Sequence, residues 1–186
     1  MATYKNIRYN TRIGGGGSEV LLSEITASSD STISFTSDID STYKEYLFRY
    51  VNLHPSVDNK TFLFNLSADG GSNYNVTKTS TAFRAYHTED NSAASLDYLT
   101  DYDLAQGTGL QYLTGSLGNA NDESVSGTLN LFNPSSTTFV KHYIYRGEHS
   151  FNADGNIDFF VSGYGNTTSA INAVRFQMSS GNIDSG

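Results

Sequence analysis

Cysteine is absent from this chain of 186 residues, which excludes disulfides, thiolate metal sites and cysteine nucleophiles. Tryptophan is absent too, and proline occurs only at Pro55 and Pro134. Charge is scarce: Asp, Glu, Lys and Arg make up 16% of the residues, against about a quarter in ordinary soluble domains. The balance is acidic, with a formal net charge of −8 at pH 7. The 11 Lys and Arg residues are scattered and form no basic patch, so a nucleic-acid partner is not expected. No apolar run approaches the roughly 20 residues of a membrane-crossing helix. Met1–Asn10 lacks the apolar centre of a secretory signal, so export by a cleaved signal is not expected either.

What fills the chain instead is Ser, Thr, Asn and Gly around short aromatic segments. Tyr and Phe number 13 and 11. The segment 45–53, "EYLFRYVNL", sets Tyr46, Phe48 and Tyr50 on one face and Leu47, Val51 and Leu53 on the other. The same period of two runs through 33–35, 61–66, 82–88, 126–132, 138–146, 156–163 and 171–178. Gly, Asn, Ser and Asp clusters such as "SADGGSN" (67–73) separate these segments and read as turns. About eight strands follow, which predicts an all-β antiparallel β-sandwich of jelly-roll-like type over residues 19–186. One stretch breaks the alternation. Ala93, Leu96, Leu99 and Leu104 are spaced for a short helix or two, so residues 90–113 are expected to form a partly helical insertion, capped by Asp90 or Asn91 and stopped by Gly107.

Residues 1–18 carry Tyr4, Ile7 and Tyr9 ahead of the flexible hinge Gly14–Gly17. They read as an arm, either an unfolded terminus or a segment whose three apolar residues anchor it to a partner chain.

Candidate chemistry is thin. Asn152, Asp154, Asn156 and Asp158 alternate like the start of a calcium loop, but the sixth and twelfth positions are Ile157 and Gly163 rather than Gly and Glu. A hairpin turn over 153–156 explains the same residues, and Asp154, Asn156 and Asp158 remain as a non-EF-hand calcium alternative. Asp97, Asp101 and Asp103, with Glu89 and Asp90 before them, could supply a glycosidase carboxylate pair, although acids at a helix start are ordinarily solvated. His54, His87, His142 and His149 show no metal-ligand spacing, and His142, between Val140 and Ile144, reads as a partly buried, hydrogen-bonded imidazole. No serine-nucleophile elbow is present, and no cofactor is implied. Tyr98, Tyr102, Tyr112 and Tyr164 lie in or near loops, where they could stack on sugar rings or pack at subunit contacts. A non-catalytic protein is therefore expected.

The chain ends "INAVRFQMSSGNIDSG", a strand with Val174, Phe176 and Met178 on one face, a turn at Ser179–Asn182, and a second turn cluster at Asp184–Gly186. The positions Val174, Phe176, Ser179, Ser180, Gly181, Asn182, Ile183, Ser185 and Gly186 resemble the C-terminal signature of small β-sandwich virion proteins of tailed bacteriophages, marine ones especially. In that family the signature precedes a last strand of the type T-I-x-L-Y-G, which this sequence does not contain: either the sequence covers only part of the gene product, or that strand was lost and the last strand is truncated. The resemblance implies a tail-fibre, tail-associated or head-decoration component. Its partners would be other virion proteins and copies of itself, as a trimer, and host surface glycans for attachment. A free lectin-like module is the alternative, with a glycoside hydrolase behind it.

Overall fold

A computed structural model of the protein describes residues 19–186. Tyr4, Ile7, Tyr9 and the glycine hinge lie outside the described residues. The alternating segments fold as twelve strands, more than the eight expected, and every pairing is antiparallel. In chain order they are β1 (Ser28–Asp30), β2 (Ile33–Phe35), β3 (Glu45–Pro55), β4 (Phe62–Ser67), β5 (Lys78–Thr88) and β6 (Ala94–Tyr98). Then come β7 (Gln111–Tyr112), β8 (Val125–Phe132), β9 (Lys141–Phe151), β10 (Gly155–Gly165), β11 (Ala173–Met178) and β12 (Ile183–Ser185). Eight form one sheet in the order β1-β12-β3-β8-β9-β10-β5-β6, and four form the other, β2-β11-β4-β7. Strands that are neighbours in space are often distant in sequence, as with β3 beside β8 and β5 beside β10.

The two sheets bury their facing aromatic rows against each other. Phe176 of β11 lies within 6.4 Å, ring centre to ring centre, of Phe35, Phe48, Tyr50, Phe62 and Phe64. Phe64 of the smaller sheet meets Tyr143 of the larger one edge-on at 5.0 Å. Such offset and edge contacts add roughly 0.5–1.5 kcal/mol per pair beyond the area they bury. Gly127 and Gly147 face each other across β8 and β9, and the stacked rings of Tyr50 and Tyr145 occupy the space their missing side chains leave. A Cβ on Gly127 would stand 2.6 Å from the Arg146 carbonyl oxygen, so only glycine fits this close approach.

Four local expectations are corrected. Residues 90–113 contain no helix. Ala94, Leu96 and Tyr98 alternate with Ser95 and Asp97 as β6, which satisfies the backbone groups along β5. Asp90 caps a turn instead, its carboxylate accepting the Ser92 amide at 2.9 Å, and Gly107 bridges to Lys78. The three-residue spacing of Ala93, Leu96 and Leu99 is compatible with both periods, and the unpaired edge of β5 decides between them.

The turn at 179–182, with Gly181 at φ +73°, leads not into a second turn but into β12. This short strand lies between β1 and β3, so the chain does return on a partner. Leu53 sits in the core with Tyr50 rather than outside with Val51. A bulge at Val51–Asn52, with Asn52 at φ +53°, moves it to the other face. His142 is exposed, because it shares the outward row of β9 with Ile144; the buried histidine of that strand is His149.

Candidate functional site on the open face of the larger sheet

The smaller sheet covers one face of the larger, and among the described residues the other face is open. On that open face one register row runs Tyr98, Phe83, Phe160, Arg146, Thr128, Arg49 across β6, β5, β10, β9, β8 and β3. Phe83 and Phe160 stack at 4.7 Å with their planes within 5° of parallel, and the Arg146 guanidinium lies 5.0 Å over the outer face of Phe160. Leu96 and Ala85 flank this ladder in the next row.

The polarity of β6 is inverted. Its apolar residues point outward, with Leu96 73% and Tyr98 55% exposed, while Ser95 and Asp97 point to the inner side beside Arg84 and Tyr86. A one-residue slip would bury Leu96 and Tyr98. The pairing with β5 forbids it, so the sequence spends its apolar side chains on the solvent face. Phe83 at 40% and Ile144 at 52% exposure extend the patch. Contiguous exposed apolar area of this kind marks a contact surface in soluble proteins.

Beside the ladder, Ser126, Arg146, Gly147, Glu148, Asn156 and Asp158 line a shallow depression of about 300 Å³. Arg146 grips Asp158 through two hydrogen bonds, at 2.7 and 3.2 Å. Glu148 lies directly across from Asp158, and partial burial followed by that neighbouring charge raises its carboxyl above the usual range. The depression thus offers a guanidinium, an amide and two carboxylates, groups that hydrogen-bond hydroxyls or meet cations.

The four loop tyrosines do not converge. Tyr98 belongs to the patch, where its hydroxyl donates to Asp103 at 2.6 Å. Tyr164 is on the same face but at the far end of β10, beside His142 at 6.3 Å. Tyr102 and Tyr112 pack edge-to-face at 4.9 Å, and Tyr102 leans on Phe159 of the core. The acids of the former insertion are dispersed as well. Asp97 faces Arg84 at 3.6 Å, Asp103 accepts Tyr98, and Asp101 is exposed in a turn.

In the calcium candidate, Asp154 occupies the β9–β10 turn at φ +50°, a turn of residues 152–154 rather than the expected 153–156, and its carbonyl oxygen accepts the Glu89 amide. The Asp158 carboxylate is taken by Arg146. Among the described residues, no three His, Asp or Glu side chains come together to hold a metal ion.

Phe83, Phe160, Arg146 and Glu148 were not among the residues expected from the sequence. One signal was available: Phe159 and Phe160 are consecutive in a strand, so one of the two rings must face outward. No protein-family model, curated protein or solved structure matches the chain.

Proposed function

We propose that this protein is a non-catalytic structural component of a bacteriophage particle, of tail-fibre, tail-associated or capsid-decoration type. It would assemble with copies of itself and with other virion proteins through its open sheet face and N-terminal arm. The observation that carries this reading is the inverted polarity of β6, which leaves Leu96 and Tyr98 exposed beside Phe83 and the half-buried Phe160 on the open sheet face. A surface like this has a use where neighbouring subunits cover it, and copies in such assemblies are commonly related by closed symmetry. The SSGNI-x-SG ending supports the particle assignment by resemblance. Antibody raised against the domain should decorate purified particles made by the encoding genome, at a fixed and repeated position. Particles that lack the protein, or that carry it only as a soluble contaminant, would overturn the reading.

A second reading, adhesion to surface glycans, is favoured by the depression beside the aromatic ladder. Arg146, Glu148, Asn156 and Asp158 there present hydrogen-bonding groups next to exposed ring edges. Binding of the isolated domain to a glycan array, lost on Arg146→Ala, would support that role. No glycan bound above background would remove it.

A further inference from the structure

We propose that the N-terminal arm of a neighbouring copy, through residues 4–13, docks on the patch of Leu96, Tyr98, Phe83 and Phe160. The inference rests on the assembly reading above and supplies the occupant of the patch.

Charge selects the arm. Residues 1–18 hold three basic residues, Lys5, Arg8 and Arg12, and no acidic one. The segment 89–103, which borders and includes β6, holds no Lys or Arg and five acidic residues: Asp97 is turned inward to Arg84, and Glu89, Asp90, Asp101 and Asp103 lie in the flanking turns. With the whole chain at −8 and the arm at +3, residues 19–186 carry −11. The arm also carries Ile7 and Tyr9, side chains of the size that an apolar patch with an acidic rim accepts.

Geometry selects the neighbour over the chain's own arm. The described chain starts at Glu19, whose carboxylate lies 3.3 Å from Arg49 on β3. From β3 to β6 is five strand spacings, or about 24 Å. A chain of 18 residues can span that distance. To reach the patch, however, a chain's own arm would have to lie extended across β8, β9, β10 and β5, past the Arg49–Glu19 and Arg146–Asp158 pairs. β6, by contrast, is the last strand of the sheet among the described residues, so the patch opens onto an edge that an arm from a second molecule reaches without crossing the sheet. The four consecutive glycines Gly14–Gly17 supply the joint. Each copy then gives one arm and receives one, a head-to-tail contact that closes as a ring.

The absence of native cysteine makes the test clean. Full-length Tyr9→Cys and Leu96→Cys chains are mixed under mild oxidation. A Thr137→Cys chain, altered at an exposed loop position away from the patch, replaces Leu96→Cys as the collision control. The expected result is a disulfide-linked dimer of the Tyr9 and Leu96 variants, several-fold above the control and diminished by high salt. Equal yields would overturn the proposal. So would a doubly substituted chain, Tyr9→Cys with Leu96→Cys, that closes only within itself. If cross-linking fails while light scattering still shows an oligomer, the docking inference falls and the assembly reading stands. A monomer throughout removes both.

Discussion

His149 gives the structure a pH dependence that can be worked out in advance. The imidazole is fully buried, and its Nε2 donates to the Gly115 carbonyl oxygen at 2.6 Å. The buried Nδ1 has no partner among the described residues. Protonation would place a second, unpaired donor in the core, at the cost of an unmet hydrogen bond plus a desolvated charge. Burial, with the Arg84 charge adding to it, pulls the imidazole down from 6.5 to about 4. The folded state therefore binds fewer protons than the unfolded state in the interval between these values. Stability falls as pH drops below about 6.5, and the loss is complete below about 4.

At about pH 5 the linkage is worth roughly 2 kcal/mol, rising to about 3 kcal/mol at full protonation. The assay is urea denaturation of the wild type and of His149→Gln, which keeps a donor for Gly115, between about pH 7 and about pH 5. The wild type should lose about 2 kcal/mol more than the variant across that range. An NMR titration of the His149 ring in the unaltered protein gives the same answer without a substitution. Equal pH slopes for the two proteins, or a ring that titrates near 6.5, would refute the reasoning.

Further outcomes follow from the packing. Phe176→Ala should cost about 3–5 kcal/mol in denaturant unfolding, and Phe176→Leu clearly less, because five rings rest on this side chain. Gly127→Ala should destabilise by about 1–3 kcal/mol and lower the thermal midpoint, since the added methyl meets the Arg146 carbonyl. Lys78 is buried with its Nζ on the Asn65 Oδ1 and the Val76 carbonyl, and desolvation lowers it to about 8. Relative to Lys78→Met, wild-type stability should rise as pH climbs from about 8 toward 10, because the unfolded lysine still holds the proton that the folded one has released. A difference that stays flat over that interval would show the lysine charged in the fold.

Fold class was legible because each long strand announces itself by alternation. Leu129 and Leu131, Ile157, Phe159 and Val161, and Val174, Phe176 and Met178 all turn inward as their spacing requires. What alternation cannot say is which of two faces is covered. Phe83 and Ala85 oppose Arg84 and Tyr86, and only the position of the second sheet makes Phe83 the exposed one. The helix expected at 90–113 failed for a related reason: β6 is apolar on its solvent side, so its period was masked by the spacing of Leu96 and Leu99. The candidate site was barely legible, since it is assembled by register across β6, β5, β10 and β9, and strands β9 and β6 are separated by more than 40 residues of chain. Leu53 shows the smallest version of the problem. One bulge residue reverses the face, and nothing in "YVNL" names it.

Sedimentation velocity on the full-length protein beside Phe83→Asp tests most directly whether the open face holds copies together. The wild type should sediment as a discrete oligomer that dissociates to a folded monomer when the aspartate stands in the ladder. A wild type that sediments as a monomer at every concentration, or an oligomer untouched by the substitution, would contradict it.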